Sequence, residues 1–210
     1  MKVIDISWPL TEKMSGYKNK QTVSIEHAKT FQEHNVREST IRINAHAGTH
    51  IDAPSHFIDT GKTSDAIALT QLIGPAQVLD LTHCSEKITA QDLMGYDIMP
   101  DDIILLKTQN SFLRADAPFD AEFVYLDMQA AAYLAQKKIK AVGIDYLGIE
   151  RAQPEHETHI TLMEHGIVII EGLRLYHVTP GTYFFICLPL ALSLEAAPAR
   201  AILCDGISTV

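Results

Sequence analysis

Alternating and continuous apolar stretches along the chain predict a fold rich in β-strands. Residues 39–46, at the end of the predicted strand 36–46, alternate apolar and polar side chains as a half-buried strand does, whereas residues 102–108 and 141–145 are near-continuous apolar runs. Runs of the second kind are typical of strands buried in a parallel sheet. Residues 183–188 form the last predicted strand, which ends before Pro189. The predicted strands cover residues 2–7, 22–28, 36–46, 77–81, 102–108, 141–145, 167–170 and 183–188.

Other stretches between these strands favour helices. Residues 127–137 are rich in strong helix formers. Residues 65–73 are preceded by Ser64, which can cap a helix, and followed by Gly74-Pro75, which would end one. The predicted helices cover residues 65–73, 89–94, 127–137 and 155–165. Because helices alternate with buried strands, the chain is expected to contain a βα crossover and to form one α/β domain over residues 1–210.

The stretch 46–57 concentrates side chains that can bind a metal ion. Its candidate ligands are His46, His50, Asp52 and His56. If the backbone stays extended, all four side chains lie on one face, because side chains repeat every two residues in a strand. A helix would align the first two but turn Asp52 away. Gly48 lies on the same face of the extended segment, where it would leave room for an ion.

The donor types in this stretch indicate a particular class of metal site. Imidazole and carboxylate together bind Zn²⁺ or Mn²⁺, and no cysteine lies nearby to form a thiolate-rich structural site. We therefore expect one or two divalent ions, with Zn²⁺ ahead of Mn²⁺. The alternative interpretation is a set of unrelated polar residues at the end of a strand.

Further ligands would have to come from histidines and acids at the ends of other elements. Position alone does not choose between His156 and His159, and either could be a solvated residue on a helix face. Glu171 follows the predicted strand 167–170. Lys107 ends another strand and is interpreted either as a pocket residue or as a lysine at an exposed strand end. In the polar loop 11–20, Tyr17 could belong to the surface or lean over a pocket.

Composition and charge restrict the class of protein. The chain has 210 residues, of which 47% are hydrophobic and 20% charged, as in ordinary globular proteins. Its formal net charge of −9 disfavours non-specific binding to nucleic acid. The N-terminus lacks the apolar run of a signal peptide, and no run of about 18 apolar residues indicates a membrane span. The three widely spaced cysteines are expected to be reduced thiols, so a cytoplasmic location is predicted.

The string His-x-Gly-Thr-His-x-Asp-x-Pro-x-His-Phe at residues 46–57 resembles the hallmark of the cyclase family of metal-dependent hydrolases. Bacterial kynurenine formamidases and isatin hydrolases belong to that family. The resemblance extends over nearly the whole chain. Its other matching segments are Asp5-Ile-Ser, Ala141-Val-Gly-Ile-Asp145, Ile169-Ile-Glu-Gly-Leu173, Leu188-Pro-Leu190 and Ala197-Pro-Ala-Arg-Ala-Ile-Leu203.

The resemblance implies a role for each site residue. It implies that His46, His50 and Asp52 bind a first metal ion, with Asp52 also able to bridge two ions. His159 would bind a second ion and Glu171 would bridge. His56 would be the catalytic histidine and not a ligand. The implied fold is a swivelling β/β/α-type domain, with a mixed sheet that curls towards a barrel and helices outside. The implied assembly is a homodimer or homotetramer.

The resemblance also implies an activity on a small-molecule substrate. The expected reaction is arylformamidase-like hydrolysis of an amide-type C–N bond, in N-formyl-kynurenine or a related small aryl formamide. Tyr17 matches the aromatic residue that touches the substrate ring in formamidases, but Lys18-Asn19-Lys20 stands here in place of the usual Pro-Gly-Asp. The alternatives are hydrolysis of a cyclic imide, lactam or ester, as in isatin hydrolases, and a non-catalytic protein that binds a metal or a small molecule.

Overall fold

The computed structural model describes residues 1–206 of the chain, mostly as strands and loops. The strands are β1 (Lys2–Asp5), β2 (Val23–Lys29), β3 (Glu38–Ile43), β4 (His50–Asp52), β5 (Ile73–Asp80), β6 (Lys87–Ile88), β7 (Ile103–Lys107), β8 (Tyr125–Leu126), β9 (Ala141–Ile144), β10 (Val168–Glu171), β11 (Gly181–Pro189) and β12 (Ala196–Asp205). The helices are α1 (Phe31–His34), α2 (Ala90–Leu93), α3 (Met128–Lys137) and α4 (Glu157–Glu164). Short 3₁₀ turns span Tyr17–Asn19, Pro54–His56, Ser64–Ala66, Leu69–Gln71 and Gln109–Phe112.

Seven strands close into a barrel. Their order is β12-β11-β5-β7-β9-β10-β4, and β4 pairs back with β12 to complete the ring, while β1 adds to the free part of β12. The pairs β5–β7, β7–β9 and β9–β10 are parallel, and the other pairs in the ring are antiparallel. The prediction of an α/β fold with a mixed sheet that curls towards a barrel is confirmed.

The barrel wall separates two apolar cores. Along β7, Ile103 and Leu105 point into the barrel, whereas Ile104 and Leu106 point outwards against α3 and α4, because side chains alternate along a strand. Both faces of β7 are therefore buried, which explains why its sequence is an unbroken apolar run. Because α3 and α4 lie against the outer face of the barrel, a side chain from either helix can approach the strands only from that face.

Helix α3 is capped at both ends. The Asp127 carboxylate caps α3 by accepting a hydrogen bond from the amide of Ala130 at 2.8 Å, and α3 ends at Lys138 in the left-handed region. The predicted helices at 89–94, 127–137 and 155–165 are present with slightly shorter bounds. None of the helices within residues 1–206 has the length and apolarity that a membrane span requires.

The predicted helix over residues 65–73 is wrong. The structure has two 3₁₀ turns there, and β5 already begins at Ile73. Gly74 and Pro75 do not end a helix but pair with Phe185 and Phe184 of β11. The Ser64 hydroxyl caps no helix, since it donates to the carbonyl of Leu192. Pairing with a strand that lies far away in sequence overrides the local helical preference.

The prediction that residues 183–188 form the last strand is also wrong. The ten-residue strand β12 follows it and pairs with β11, β1 and β4, so it occupies the point where the barrel closes. Pro198 lies inside β12, and a proline within a run argues against a central strand. It is tolerated because it lies opposite His50 in the short β4 pairing, near the end of the ladder.

Candidate active site and metal centre

The stretch that carries the candidate ligands does not stay extended. β3 ends at Ile43, and the chain then turns, with the Asn44 side chain accepting a hydrogen bond from the amide of His46 at 2.9 Å. Gly48 has φ near +62°, in the left-handed region that favours glycine. The prediction that one strand face carries residues 46 to 56 is therefore wrong. Only His50 and Asp52 share a strand face, in β4.

Glycine is needed at position 48 for the backbone conformation of the turn, and it does not provide space for an ion. A Cβ atom at this position would meet Leu10 Cδ2 at 2.7 Å and Met14 Cε at 3.5 Å, and none of the candidate ligands is among its nearest neighbours. The turn also presses against the end of β10, where a Cβ at Gly172 would meet the carbonyl oxygen of Gly48 at 2.1 Å. The Thr49 hydroxyl donates to the carbonyl of Gly172 at 2.6 Å and thereby ties the two segments together.

The register between β4 and β10 brings distant carboxylates and imidazoles together. Glu171 lies directly opposite His50, and Ile169 lies opposite Asp52. Ile51, between the two β4 ligand candidates, points into the barrel interior. The polar side chains of β4 and β10 therefore share the outer face of the barrel wall.

Helix α4 supplies the fourth side chain of the group. Nε2 of His159 lies 3.4 Å from Asp52 Oδ2 and 3.4 Å from Glu171 Oε1. Nε2 of His50 lies 3.4 Å from Asp52 Oδ1 and 3.4 Å from Glu171 Oε2. All four residues are buried, with at most 5% of their surface exposed. His46 lies at the edge of the group, and its Nδ1 is 3.0 Å from Asp52 Oδ1.

The donor atoms of this group suit a divalent cation. Nδ1 of His50 donates to the carbonyl oxygen of Gly48 at 2.9 Å, which leaves Nε2 directed at the carboxylates. His50 Nε2 and Asp52 Oδ1 are buried and have no hydrogen-bond partner within residues 1–206. Buried polar atoms without partners are costly unless something binds them. Inward-facing imidazole nitrogens and carboxylate oxygens are ligands that Zn²⁺ and Mn²⁺ accept.

The carboxylates and imidazoles of the group shift one another's pKa. Burial lowers the pKa of His50, but the adjacent carboxylates of Asp52 and Glu171, each 3.4 Å from Nε2, outweigh burial and raise this pKa to about 10. Burial and the charge of Asp52 raise the pKa of Glu171, but close contacts with His159 and His50 lower it to about 2. Burial raises the pKa of Asp52, but contacts with His159, His46 and His50 hold it well below its usual range. Both carboxylates are therefore ionised at neutral pH. A bound cation would replace the protons on the imidazoles, so its affinity would fall in acid.

Glu150 belongs to this group and was missed from the sequence. Its Oε2 lies 3.1 Å from Nδ1 of His159, and its Oε1 contacts Nδ1 of His156. Burial raises the pKa of Glu150, but its contacts with His159 and His156 outweigh burial and lower it. Oε2 also accepts a hydrogen bond from the backbone amide of His159 at 3.2 Å. The carboxylate therefore lies behind the His159 imidazole, where partners of ligating histidines are commonly found. Glu150 lies in a loop outside any periodic element, so no local pattern marked it.

A cavity of about 440 Å³ opens onto the buried group. Asp52 and Glu171 reach it from the barrel wall and His159 from α4, while His46, His56 and Tyr17 reach it from turns and loops. The further lining residues are Lys18, Lys20, Gln21, Thr22, Asn44, Phe57, Leu147, Gly148, Glu150 and His156.

Tyr17 and His56 approach the cavity from opposite loops. The Tyr17 ring packs edge-on against Phe119, with the ring centroids 4.9 Å apart, and burial raises its pKa. The His56 ring lies 4.4 Å from the ring of His46, and burial lowers the pKa of His56. One nitrogen of His56 lies within 4.8 Å of ligand atoms of His46 and Asp52. These distances therefore allow His56 either to transfer a proton or to bind a metal ion.

Lys107 lies outside this cavity. Its ammonium group is buried and donates to the carbonyl oxygens of Val178, at 2.6 Å, and Tyr176, at 3.4 Å. Both interpretations of Lys107, as a pocket residue and as a lysine at an exposed strand end, are wrong. His156 does line the cavity, but half of its side chain is exposed at the mouth.

Comparison with known proteins places this arrangement among hydrolases. A family model described as "Putative cyclase" matches residues 4–151. A kynurenine formamidase of Bacillus cereus is 32% identical over 203 residues, which cover 95% of this chain and 96% of the relative.

Two solved structures illustrate the range of similar folds. A predicted metal-dependent hydrolase from Bacillus stearothermophilus is 46% identical, with a TM-score of 0.87 over 96% of this chain and 97% of the other. Isatin hydrolase A from Labrenzia aggregata is 22% identical, with a TM-score of 0.81 over 96% of this chain and 93% of the other. The second likeness shows a shared fold.

Proposed function

The chain belongs to the cyclase family, and on that premise we propose that this metal-dependent hydrolase cleaves the amide-type C–N bond of a small aryl formamide. N-formyl-kynurenine or a related compound is the proposed substrate, in keeping with the relatives named kynurenine formamidase. The observation that carries the proposal is the convergence of buried imidazoles and carboxylates, with partnerless donor atoms, at the floor of a cavity.

We propose that one or two divalent ions bind at this floor. The ligand set of the proposal is His46, His50, Asp52, His159 and Glu171. Zn²⁺ is the first candidate and Mn²⁺ the second, because imidazole and carboxylate donors suit both and no cysteine lines the cavity. Asp52 supports the proposal of a bridging role, since its Oδ1 faces His50 and its Oδ2 faces His159.

The chemistry divides between the ion and the side chains. A divalent cation, when bound, supplies polarisation of a carbonyl oxygen and acidification of a water molecule. His56 would take a proton from the attacking water as its oxygen bonds to the formyl carbon. The same imidazole would then deliver that proton to the leaving nitrogen as the C–N bond breaks, yielding formate and an amine. A group with an unperturbed pKa near 6.5, lowered here by burial, suits both transfers near neutral pH.

The mouth of the cavity supports the choice of substrate. Tyr17 offers an aromatic ring for contact with an aryl group. Lys18 and Lys20 line the same cavity and are exposed, so they add positive charge at its mouth above an acidic floor. An aryl formamide with a carboxylate substituent would place its ring near Tyr17 and its anionic group near these lysines.

A second candidate function is hydrolysis of a cyclic imide, lactam or ester. It is favoured by the fold shared with isatin hydrolases, and it would use the same floor residues with a different fit at the mouth. A non-catalytic binding protein is disfavoured, because a site that only stores an ion has no need for a proton-transferring histidine such as His56 beside the ligands.

We also propose a homodimer or homotetramer in the cytoplasm. The hairpin of β2 and β3 forms its own two-stranded sheet, and Phe31, Val36 and Ile41 on it and its connection are exposed, which supports an association surface. The three cysteines are free thiols, which supports a reducing compartment. Sedimentation that shows a stable monomer at micromolar concentration would contradict the proposed assembly.

The test of the function is a substrate panel combined with metal analysis. The panel contains N-formyl anilines with and without a carboxylate, cyclic imides and lactams, each assayed after separate loading with Zn²⁺ and Mn²⁺. Asp52→Ala should lose both metal and activity, whereas Asp59→Ala, which changes an exposed aspartate, should lose neither. Unchanged metal stoichiometry in Asp52→Ala would refute the ligand set, and preference for cyclic substrates would favour the second candidate.

A further inference from the structure

A second group of metal-capable side chains lies away from the cavity. His83 and Cys84 follow β5, and Asp92 lies in α2. Nε2, Sγ and a carboxylate oxygen of these three residues lie within 4.8 Å of one another, and none of the three lines the cavity. The proposed hydrolysis makes no use of them.

The two distances from His83 to the other donor atoms match the edges of a tetrahedral site, and the third distance is within 4.8 Å. Nε2 of His83 lies 3.6 Å from Sγ of Cys84 and 3.4 Å from Oδ1 of Asp92. A tetrahedral zinc ion with usual bond lengths separates a nitrogen and a sulfur ligand by about 3.5–3.6 Å, and a nitrogen and an oxygen ligand by about 3.3–3.4 Å. An ion could therefore bind with little movement of the side chains.

The carboxylate is held in a ligating orientation by the cap of α2. Its Oδ2 accepts hydrogen bonds from the amide of Thr89 at 2.8 Å and from the Thr89 hydroxyl at 2.6 Å. This capping box commits one oxygen of Asp92 to the helix and leaves Oδ1 facing His83. Partners of this kind orient metal ligands in known sites.

We propose that His83, Cys84 and Asp92 form a second metal site, which takes a borderline or soft divalent cation such as Zn²⁺ through one thiolate, one imidazole and one carboxylate. Thiolate and imidazole select such ions over Mg²⁺ and Ca²⁺. Binding releases the Cys84 thiol proton to solvent as the sulfur–metal bond forms. The His83 side chain is 63% exposed, so the ion has access from solvent and water can fill the fourth corner.

Cobalt absorption tests this site without interference from the cavity. A Co²⁺–thiolate bond gives an intense near-ultraviolet charge-transfer band, and ions in the cavity cannot give one because no cysteine lines it. Titration of the wild-type protein with Co²⁺ should produce the band, and an excess of Zn²⁺ over both proposed sites should remove it. Cys84→Ser should abolish the band, whereas Cys187→Ala, which removes a thiol inside the barrel, should leave it unchanged.

Substitution of His83 provides a second test of the proposed site. His83→Gln should fold normally and weaken the apparent Co²⁺ affinity at least tenfold, because it removes one of three protein ligands. The absence of the band in the wild-type protein would overturn the proposal, and His83 would then simply hydrogen-bond to Asp92. A band that persists in Cys84→Ser, or an unchanged affinity in His83→Gln, would overturn it as well.

Discussion

Nδ1 of His50 lies 2.9 Å from the carbonyl oxygen of Gly48, two residues earlier in the chain. Because a carbonyl only accepts, this nitrogen carries a proton, and Nε2 is left to face Asp52 and Glu171. The contact requires the turn that Gly48 makes with φ near +62°. A backbone conformation therefore sets the orientation of a candidate metal ligand.

Substitution of Gly48 should weaken both the fold and the metal site. Gly48→Ala forces a side chain into the left-handed region, at a cost of about 1–2 kcal/mol in the free energy of unfolding, and its Cβ also crowds Leu10. Urea unfolding would measure the loss, and metal analysis would show reduced occupancy.

Alanine substitutions at two other glycines distinguish backbone strain from steric crowding. Gly166→Ala meets nothing within 4 Å but has φ near +71°, so it should show the strain alone. Gly95→Ala also meets nothing within 4 Å and has no such backbone conformation, so it should leave stability within about 0.5 kcal/mol of wild type. Equal effects of Gly48→Ala and Gly166→Ala on metal content would contradict the role assigned to Gly48.

Removal of the proposed proton-transfer group should separate activity from metal binding. His56→Ala should reduce kcat by about 10²–10⁴-fold, the usual contribution of general acid–base catalysis, while metal content stays near wild type. Steady-state kinetics and metal analysis on the same preparation would check both. Loss of metal together with activity would make His56 a ligand, and retained activity would exclude it from the mechanism.

Glu150 should act on the metal through His159. Glu150→Gln removes the charge 3.1 Å from Nδ1 of His159, so metal affinity should fall by about 10–100-fold. Competition with a chelator would measure the change. Glu155→Gln is the matched control, because it changes an exposed glutamate in the loop before α4. Unchanged chelator sensitivity in Glu150→Gln would show that His159 needs no such orientation.

The lysines at the cavity mouth should favour substrates that carry a negative charge over neutral ones. Lys18→Ala and Lys20→Ala should each raise KM for a carboxylate-bearing formamide by about two- to fivefold, as expected for an exposed ion pair, and leave a neutral formamide unaffected. Added salt should reduce the difference between the two substrates. Lys13→Ala, in the same loop but outside the cavity lining, should change neither. Equal effects on both substrates would indicate a role in loop structure instead.

The ring of Tyr17 should matter more than its hydroxyl. Tyr17→Ala should raise KM for aryl formamides, because it removes the aromatic surface that lines the cavity and packs on Phe119. Tyr17→Phe should stay close to wild type. If Tyr17→Ala leaves KM and kcat unchanged on the best substrate, Tyr17 belongs merely to the surface.

The sequence by itself determined the class of fold and the identity of the candidate ligands. Continuous apolar runs such as 103–107 are buried on both faces wherever they pack, so they predict buried strands without knowledge of their partners. The capped, helix-favouring stretch 128–137 likewise depends on near neighbours. His46, His50 and Asp52 were identifiable because they lie within seven residues of one another.

Only the tertiary structure decided what depends on residues distant in sequence. Gly74 and Pro75 lie in a strand because β11 pairs with them, and β12 is a strand because it closes the barrel. The side chains that one extended face was expected to bring together do lie close together, but for another reason, since Gly48 turns the chain and Glu171 comes from the opposite strand. Glu150 became visible only where folding places it behind His159. Local patterns record conformational preference, whereas convergence of side chains depends on strand register, which long-range pairing sets.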